Sequence, residues 1–434
     1  MKAASRLSFA WALVPTLVFA AAAYEGPRSF QASELLKPAQ VKGPHFSVAP
    51  AVKTEGYLHV FDITSDYGPL EAEGKAMLLM RLHEVGALAE LEKVSKSEVF
   101  LKSAGTSVLN VGKGVSSAVK DPEATAKGVG TGIKRFGTNL GRKAKRTGDK
   151  AADEVKSDDK PAEGESKSTG EKAADTGAGV ANSVLGVNGA ARRWAAKVGA
   201  DPYTTNPILK KTLVDIGRID TAGGLAAKIA VPIPMVVSGT ASVGNLVWSK
   251  DPEEVLKINE QKLKALGASA DTIKQLYLSK GFTLTLYTRF AENLSAVSVP
   301  GAADYAATAA EADAEREAMF FVEGVEMLAR YHKATPVAAL LADSRALVAK
   351  TKDGRAVVLL PVDWVRWTEA YDKSLSEVER RVKSELGATK LELRMTGTMS
   401  AVAKKEMASR GWSVVENQPT TFEAARARAQ TAAK

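Results

Sequence analysis

Four histidines, at positions 45, 59, 83 and 332, and no cysteine are the imidazole and thiolate inventory of this 434-residue chain. His83-Glu84 opens like a helical zinc-protease motif, but Ala87 stands where the second histidine is needed to ligate from the same helix face. Without thiolates, and with histidines this scattered, metal binding is not expected, and a Cys nucleophile and disulfides are excluded. Gly112-Lys113 suggests a phosphate loop, yet Gly114 follows where Ser or Thr would bind magnesium, and Ser107 takes the place of the first glycine. Gly112-x-Gly114 leads to Ser117 rather than a third glycine, with no strand before it, so a dinucleotide fingerprint fails as well. No serine lies in the G-x-S-x-G elbow of a hydrolase. Asp215, Arg218 and Asp220 read as a helix-surface charge group, and Trp364 and Trp367 around Arg366 as sheet-to-helix packing. No catalytic residue, cofactor or metal ligand emerges.

One pattern does point to a contact. Lys134, Arg135, Arg142, Lys143, Lys145 and Arg146 have no acid among them, and none lies between Glu123 and Asp149. Clustered cations of this kind attract phosphate head groups, so an anionic membrane surface or envelope polymer is the expected partner, with a protein partner as a further expectation. Nucleic acid is not expected. The cluster ends a stretch, 103–146, in which glycines at 105, 112, 114, 128, 130, 132, 137 and 141 alternate with Val, Ala and Ser. Gly128/Gly132 and Gly137/Gly141 have the spacing that allows close helix approach. Glycine costs a helix about 1 kcal/mol relative to alanine, so such a region needs a partner surface to order.

The N-terminus sets the expected compartment. Lys2 and Arg6 precede an apolar run, Leu7 to Phe19, and Ala21-Ala22-Ala23 make a small-residue cleavage site before Tyr24. Residues 1–23 read as a signal peptide. A formal charge of +9, with 45% hydrophobic and 25% charged residues, describes a basic globular protein. Export without disulfides points to a bacterial periplasm or cell envelope, with peripheral attachment to membrane as the expected contact. In composition the chain resembles glycine-rich exported envelope proteins, a likeness that names no activity.

The expected class is α+β and predominantly helical. Residues 24–146 form an N-terminal strand/helix region that includes the Gly-rich basic segment. Its prolines, at 27, 38, 44 and 50, suggest an irregular leader up to residue 55. Tyr57 to Ile63 alternates as a strand, Asp66 to Pro69 turns, and Leu78, Leu82, Val85, Leu88 and Leu91 line an amphipathic helix from about 75 to 102. Residues 147–177 have one aliphatic side chain larger than alanine, Val155, and read as a disordered linker.

An all-helical block follows at 178–335. No charge occurs between Lys228 and Lys250, but Pro232 and Pro234 leave only about 15 residues for continuous helix, short of the roughly 17 needed to span a bilayer. The apolar stretch 229–249 is therefore expected in the core, with interfacial and spanning placements as alternatives. Asp251, Pro252 and Glu254 suggest a capping box ended by Gly267. Helices are expected over 271–279, 282–296 and, as one long element, 302–332.

Residues 336–418 read as a small two-layer α/β unit. It has a hairpin through Asp353-Gly354 and a helix opened by Ser376 and Glu379 and closed at Gly387. A strand at 391–395, a helix at 400–410 and a last strand from Trp412 follow. A frayed tail, 419–434, completes the chain. The pattern suits a non-enzymatic interaction or scaffold protein; a periplasmic enzyme or a membrane-inserting protein are the alternatives.

Overall fold

The computed structural model describes residues 24–97, 179–220 and 241–432. About 54% helix and 18% strand make it a mixed α+β protein with substantial helix. The signal-peptide region, the Gly-rich basic segment, the linker and the first part of the apolar stretch lie outside the described residues.

The first sheet is organised on one strand. β1 (Phe30–Gln31) leads through single-turn helices α1 (Ala32–Leu35) and α2 (Pro38–Val41) to β2 (Lys42–Gly43), β3 (Phe46–Val48) and β4 (Ala51–Glu55). β5 (Leu58–Ser65) then takes β4 and β3 end to end along one edge and β6 (Gly68–Glu73) along the other. His59, Phe61 and Ile63 alternate inward along β5, as the period predicts. Residues 24–55 are thus not an irregular leader. Pro38 occupies the first turn of α2, where its missing N–H is harmless, and Pro50 sits in the turn before β4, its carbonyl accepting from Ala32.

α3 (Lys75–Ser95) runs beneath this sheet and is buried on more than the expected stripe: Met77, Leu79, Arg81, Glu84 and Ala89 join Leu78, Val85, Leu88 and Leu91 inside. Nine helices follow among the described residues: α4 (Gly179–Val184), α5 (Gly189–Lys197), α6 (Pro207–Ile219), α7 (Ala241–Ser249), α8 (Pro252–Ala265), α9 (Ala270–Leu278), α10 (Leu284–Val297), α11 (Ala302–Ala309) and α12 (Glu315–Ala334). Asn188, Asn206, Ser269 and Thr283 cap α5, α6, α9 and α10 through their side chains. Within the described part of the apolar stretch, Val243, Val247 and Trp248 are buried, and the Trp248 indole donates to the Ala200 carbonyl at 2.9 Å. No helix of the described residues is long and apolar enough to cross a membrane.

Two expectations fail here for local reasons. The Asp251 carboxylate does not cap α8; it turns to Arg192, and Glu254 pairs with Lys250, so the capping box does not form. The long Ala-rich helix is two helices, α11 and α12. The break lets Ala314 lie against Gly281, where a Cβ would come within 2.5 Å of the Ala314 carbonyl oxygen, and the Ala312 carbonyl accepts the Ser279 hydroxyl.

The second sheet runs β13-β11-β9-β8-β7, from β7 (Val337–Leu340), β8 (Leu347–Thr351), β9 (Arg355–Leu360), β11 (Lys390–Met395) and β13 (Trp412–Val415). β8 and β9 form the expected hairpin, with Gly354 at φ +87°. β11 runs parallel to both β9 and β13. A short parallel pair, β10 (Trp364–Val365) and β12 (Thr398–Met399), stands beside it. α13 (Glu369–Arg381, continued by a π-turn to Leu386) and α14 (Ala401–Ser409) join one apolar cluster with Val348, Val358 and Leu393, while Leu347, Ala349, Val357 and Leu359 of β8 and β9 join the core with α12. The sheet is therefore covered on two faces, not one.

α13 begins at Thr368, whose hydroxyl accepts from Tyr371, eight residues before the expected start. Glu379 instead accepts the Trp412 indole N–H at 2.7 Å. Nor does the tail fray at its start: α15 (Thr421–Ala432) packs on α3 and α12, with Thr420 and Thr421 buried.

Candidate functional site

The first sheet, α3, α12, the second sheet and the tail converge on one cleft. Glu73, Gly74, Lys75, Arg316, Glu323 and Asp363 contribute its polar lining, with Leu58, Met319, Phe320 and Pro361 among the apolar walls.

Gly74 precedes α3 at φ +94° and has no side chain to cap it. Asp363 does so from 288 residues away: Lys75 N–H donates to both carboxylate oxygens at 3.1 Å, and His59 N–H to Oδ2 at 2.9 Å. Asp363 N–H in turn donates to the Tyr57 carbonyl at 3.0 Å, closing a two-way stitch between β5 and the segment before β10. Burial pushes the Asp363 carboxyl up to about 6, opposed by its two backbone donors and by Lys75.

Around it each charge is answered. Both Glu73 oxygens accept from Arg316 Nη1, at 2.9 and 3.0 Å; Lys75 reaches Glu423 at 2.8 Å; and Glu323 accepts from Arg289 and from Thr421 N–H. The free space is about 30 Å³, room for one or two waters and far below the several hundred Å³ of a small-molecule site. The cleft unites a perturbed carboxyl with positive and negative neighbours, as a catalytic site would, but these bonds hold the chain together. It works as a clamp.

Deeper in lies a second group of buried charges. Arg81 donates to Glu84 at 2.9 Å and to Glu315 at 3.0 Å. Glu84 also accepts from Thr204 Oγ1 at 2.5 Å and from Asn206 Nδ2 at 3.1 Å. Asp201, pushed up to about 6 by burial, accepts from Thr285 Oγ1 at 2.5 Å and from Tyr203 N–H at 2.8 Å.

The histidines are dispersed. His45 Nδ1 lies 2.8 Å from Asp66, His59 Nδ1 2.8 Å from Thr54 Oγ1, and His83 Nε2 2.9 Å from the Gly199 carbonyl, while His332 Nδ1 accepts from Val337 N–H. Burial lowers His59 to about 4, so it is neutral at pH 7. Among the described residues no group of three His, Asp or Glu is placed to hold a metal ion. Asp215 pairs with Arg218 on the surface, as its spacing suggests, but Asp220 turns inward to accept the Trp194 indole N–H at 3.0 Å. Trp367 is buried in the second apolar cluster, and Trp364 meets Phe30 edge-on at 5.2 Å. Lys134, Arg135, Arg142, Lys143, Lys145 and Arg146 lie outside the described residues, as does Gly112-Lys113-Gly114.

Of the clamp's charged side chains, none stands out in the sequence. The one available signal was Gly74-Lys75, a helix start without a Ser, Thr, Asp or Asn, which implies a donor-satisfying group from elsewhere. These features define a mixed α+β protein closed by a long-range electrostatic clamp. No family model, curated protein or solved structure matches the chain.

Proposed function

We propose that this is an exported, non-enzymatic interaction or scaffold protein of the bacterial envelope. In this reading residues 1–23 are removed, and residues 103–146 attach the rest to an anionic membrane surface or envelope polymer.

The observation that carries the reading is where the charge lies. Residues 103–146 hold nine cations and two acids, a balance of +7 that equals that of the whole chain from Tyr24 onward. The remainder is neutral. Within the described fold most buried and half-buried cations face a carboxylate, as Arg81, Arg192, Lys262, Arg289 and Arg316 do. A basic stretch set against a self-neutralised body concentrates attraction for polyanions in one place.

The enzyme alternative draws less support, because the charged cleft is small and its acids are engaged in structural bonds. Insertion through 229–249 draws less as well, since Val243, Val247 and Trp248 pack inside the helical layer.

The test is sedimentation of the chain from Tyr24 onward with liposomes of graded anionic content. The comparison is a variant with alanine at Lys134, Arg135, Arg142, Lys143, Lys145 and Arg146. Binding should rise with anionic lipid, fall in the variant, and weaken as salt shortens the Debye length from about 10 Å at 0.1 M to about 3 Å at 1 M. Equal binding by the two proteins, or none by either, removes the proposal.

A further inference from the structure

The tail closes over two buried glutamates that share one arginine. Glu323 and Glu326, neighbours on one face of α12, are each 3% exposed, and Arg289 of α10 is 5% exposed. Arg289 gives Nε and Nη2 to Glu326 at 2.8 and 2.9 Å, which leaves Nη2 only a longer contact, 3.3 Å, with Glu323. The tail supplies the remaining donors: Thr421 N–H reaches Glu323 at 2.9 Å, and the Thr421 hydroxyl donates to Glu326. From outside, Arg330 binds Thr421 Oγ1 and the Pro419 carbonyl, both at 3.1 Å. Phe422 meets the His83 ring edge-on at 5.6 Å, and Glu423 holds Lys75.

The other charges around Glu323 are already spoken for. Of those lining the same cleft, Arg316 is bound by Glu73, Lys75 by Glu423, and Asp363 by backbone N–H groups. Among the described residues Arg289 is the guanidinium bonded to both carboxylates; Arg330, one turn past Glu326 on the same helix, is bonded to Thr421 and Pro419, and its charge favours the ionised Glu323. Two like charges confined to a buried site favour retention of a proton.

We propose that residues 419–432 form a proton-linked strap, docked while Glu323, crowded against Glu326 over a shared arginine, retains a proton and released as that proton leaves. Release would bare the strip between α3 and α12 where His83 and the Arg289 pair lie. Linkage fixes the direction. Burial first, then the charge of Glu326, raises the Glu323 carboxyl above its ordinary 4.5 in the docked state, outweighing Arg289, Arg330 and the Thr421 N–H, which favour the carboxylate. Undocking returns solvent to it, so the docked form binds more protons and docking weakens as pH rises above that value.

The experiment is hydrogen exchange of the full chain from about pH 5 to about pH 8, with amide protection of 419–432 corrected for the intrinsic rate. Protection of the strap should fall progressively with pH while that of α10 does not. Glu323→Gln keeps an oxygen for Thr421 N–H but carries no charge, so its strap should stay protected at the upper pH. Wild-type protection that ignores pH, or an equal fall in E323Q, overturns the proposal. Should E323Q fail to fold, Arg330→Gln serves in its place. It leaves both glutamates in place and removes the bonds to Thr421 Oγ1 and the Pro419 carbonyl, so protection of 419–432 should be lower than in the wild type yet still fall as pH rises; protection that ignores pH overturns the proposal equally.

Discussion

The carboxylate of Asp363 caps the helix that starts at Lys75, with both oxygens 3.1 Å from the Lys75 nitrogen across 288 residues of chain. Removing it with Asp363→Ala leaves the N–H groups of His59 and Lys75 buried without acceptors. Each orphaned donor costs about 1–3 kcal/mol, so a loss of about 2–6 kcal/mol is expected. Asp363→Asn retains one oxygen and should lose less than half of that. Urea unfolding followed by circular dichroism ranks the two; equal losses would mean that the cap contributes only through its charge.

Gly397 makes that cap possible. Its N–H donates to the Val362 carbonyl at 2.8 Å, and a Cβ built on it would overlap the backbone of Asp363. Gly397→Ala must therefore displace the Asp363 backbone from its place between Gly397 and the His59 and Lys75 N–H groups. Overpacking of this kind costs about 1–3 kcal/mol or more, and the same shift breaks the cap. Combined with Asp363→Ala, the glycine substitution should cost less than it does alone. Full additivity in the double-mutant cycle would refute the coupling.

Stability should carry an unusual pH dependence. Asp201 and Asp363 have folded values of about 6 against an ordinary 3.8, in each case chiefly from burial. Across that window the folded chain binds more protons than the unfolded chain, so these groups lower stability as pH rises through it and add no further change above it. Two pKa units correspond to about 3 kcal/mol, a ceiling for each carboxylate. Asp201→Asn keeps the acceptor for Thr285 and Tyr203, and should raise the urea midpoint at pH 7 more than at pH 4.5. An equal change at both would show that Asp201 ionises as readily folded as unfolded.

What the sequence revealed and what it hid divide along contact range. Gly354, Gly387 and Gly411 all take positive φ at the turn or helix end expected of them, and Ser400 caps α14 through its hydroxyl. These are contacts within four residues, written in the local string. Asp251 has the type and place of a cap, yet its carboxylate is taken by Arg192, 59 residues earlier. Thr421 lies in an Ala- and Arg-rich tail with no apolar stripe, and it is ordered by two glutamates about 95 residues away. Asp363 next to Trp364 offers no local reason to be buried. The mixed class was readable from period and capping; the clamp was not, because each of its bonds joins segments that only the finished fold brings together.

The N-terminal residues supply a further test. Glu25 accepts from Trp367 N–H at 2.6 Å and from Ser400 Oγ at 2.5 Å, and its own N–H donates to the Trp367 carbonyl at 2.7 Å. Glu25→Ala should release residues 24–29 from Trp367 and from the start of α14, and cost about 1–3 kcal/mol. Thermal melts and Trp fluorescence report it; unchanged emission and melting would make the contact incidental.

The apolar stretch can be tested on its described part. Val247 of α7 is 1% exposed among α5 and α10 neighbours, and Trp248 beside it anchors to Ala200. An aspartate there would be buried without a partner, and transferring an unpaired charge into such a site is among the most expensive single changes. Val247→Asp is expected to unfold the helical layer, or to survive only with its carboxyl protonated and stability falling steeply as pH rises. Val247→Ala removes two methyl groups and should cost about 1–3 kcal/mol without any pH dependence. The pair separates two placements of the stretch. If the face of Val247 met lipid rather than protein, Val247→Ala would leave the melting temperature unchanged, and Val247→Asp would fold normally while losing membrane binding.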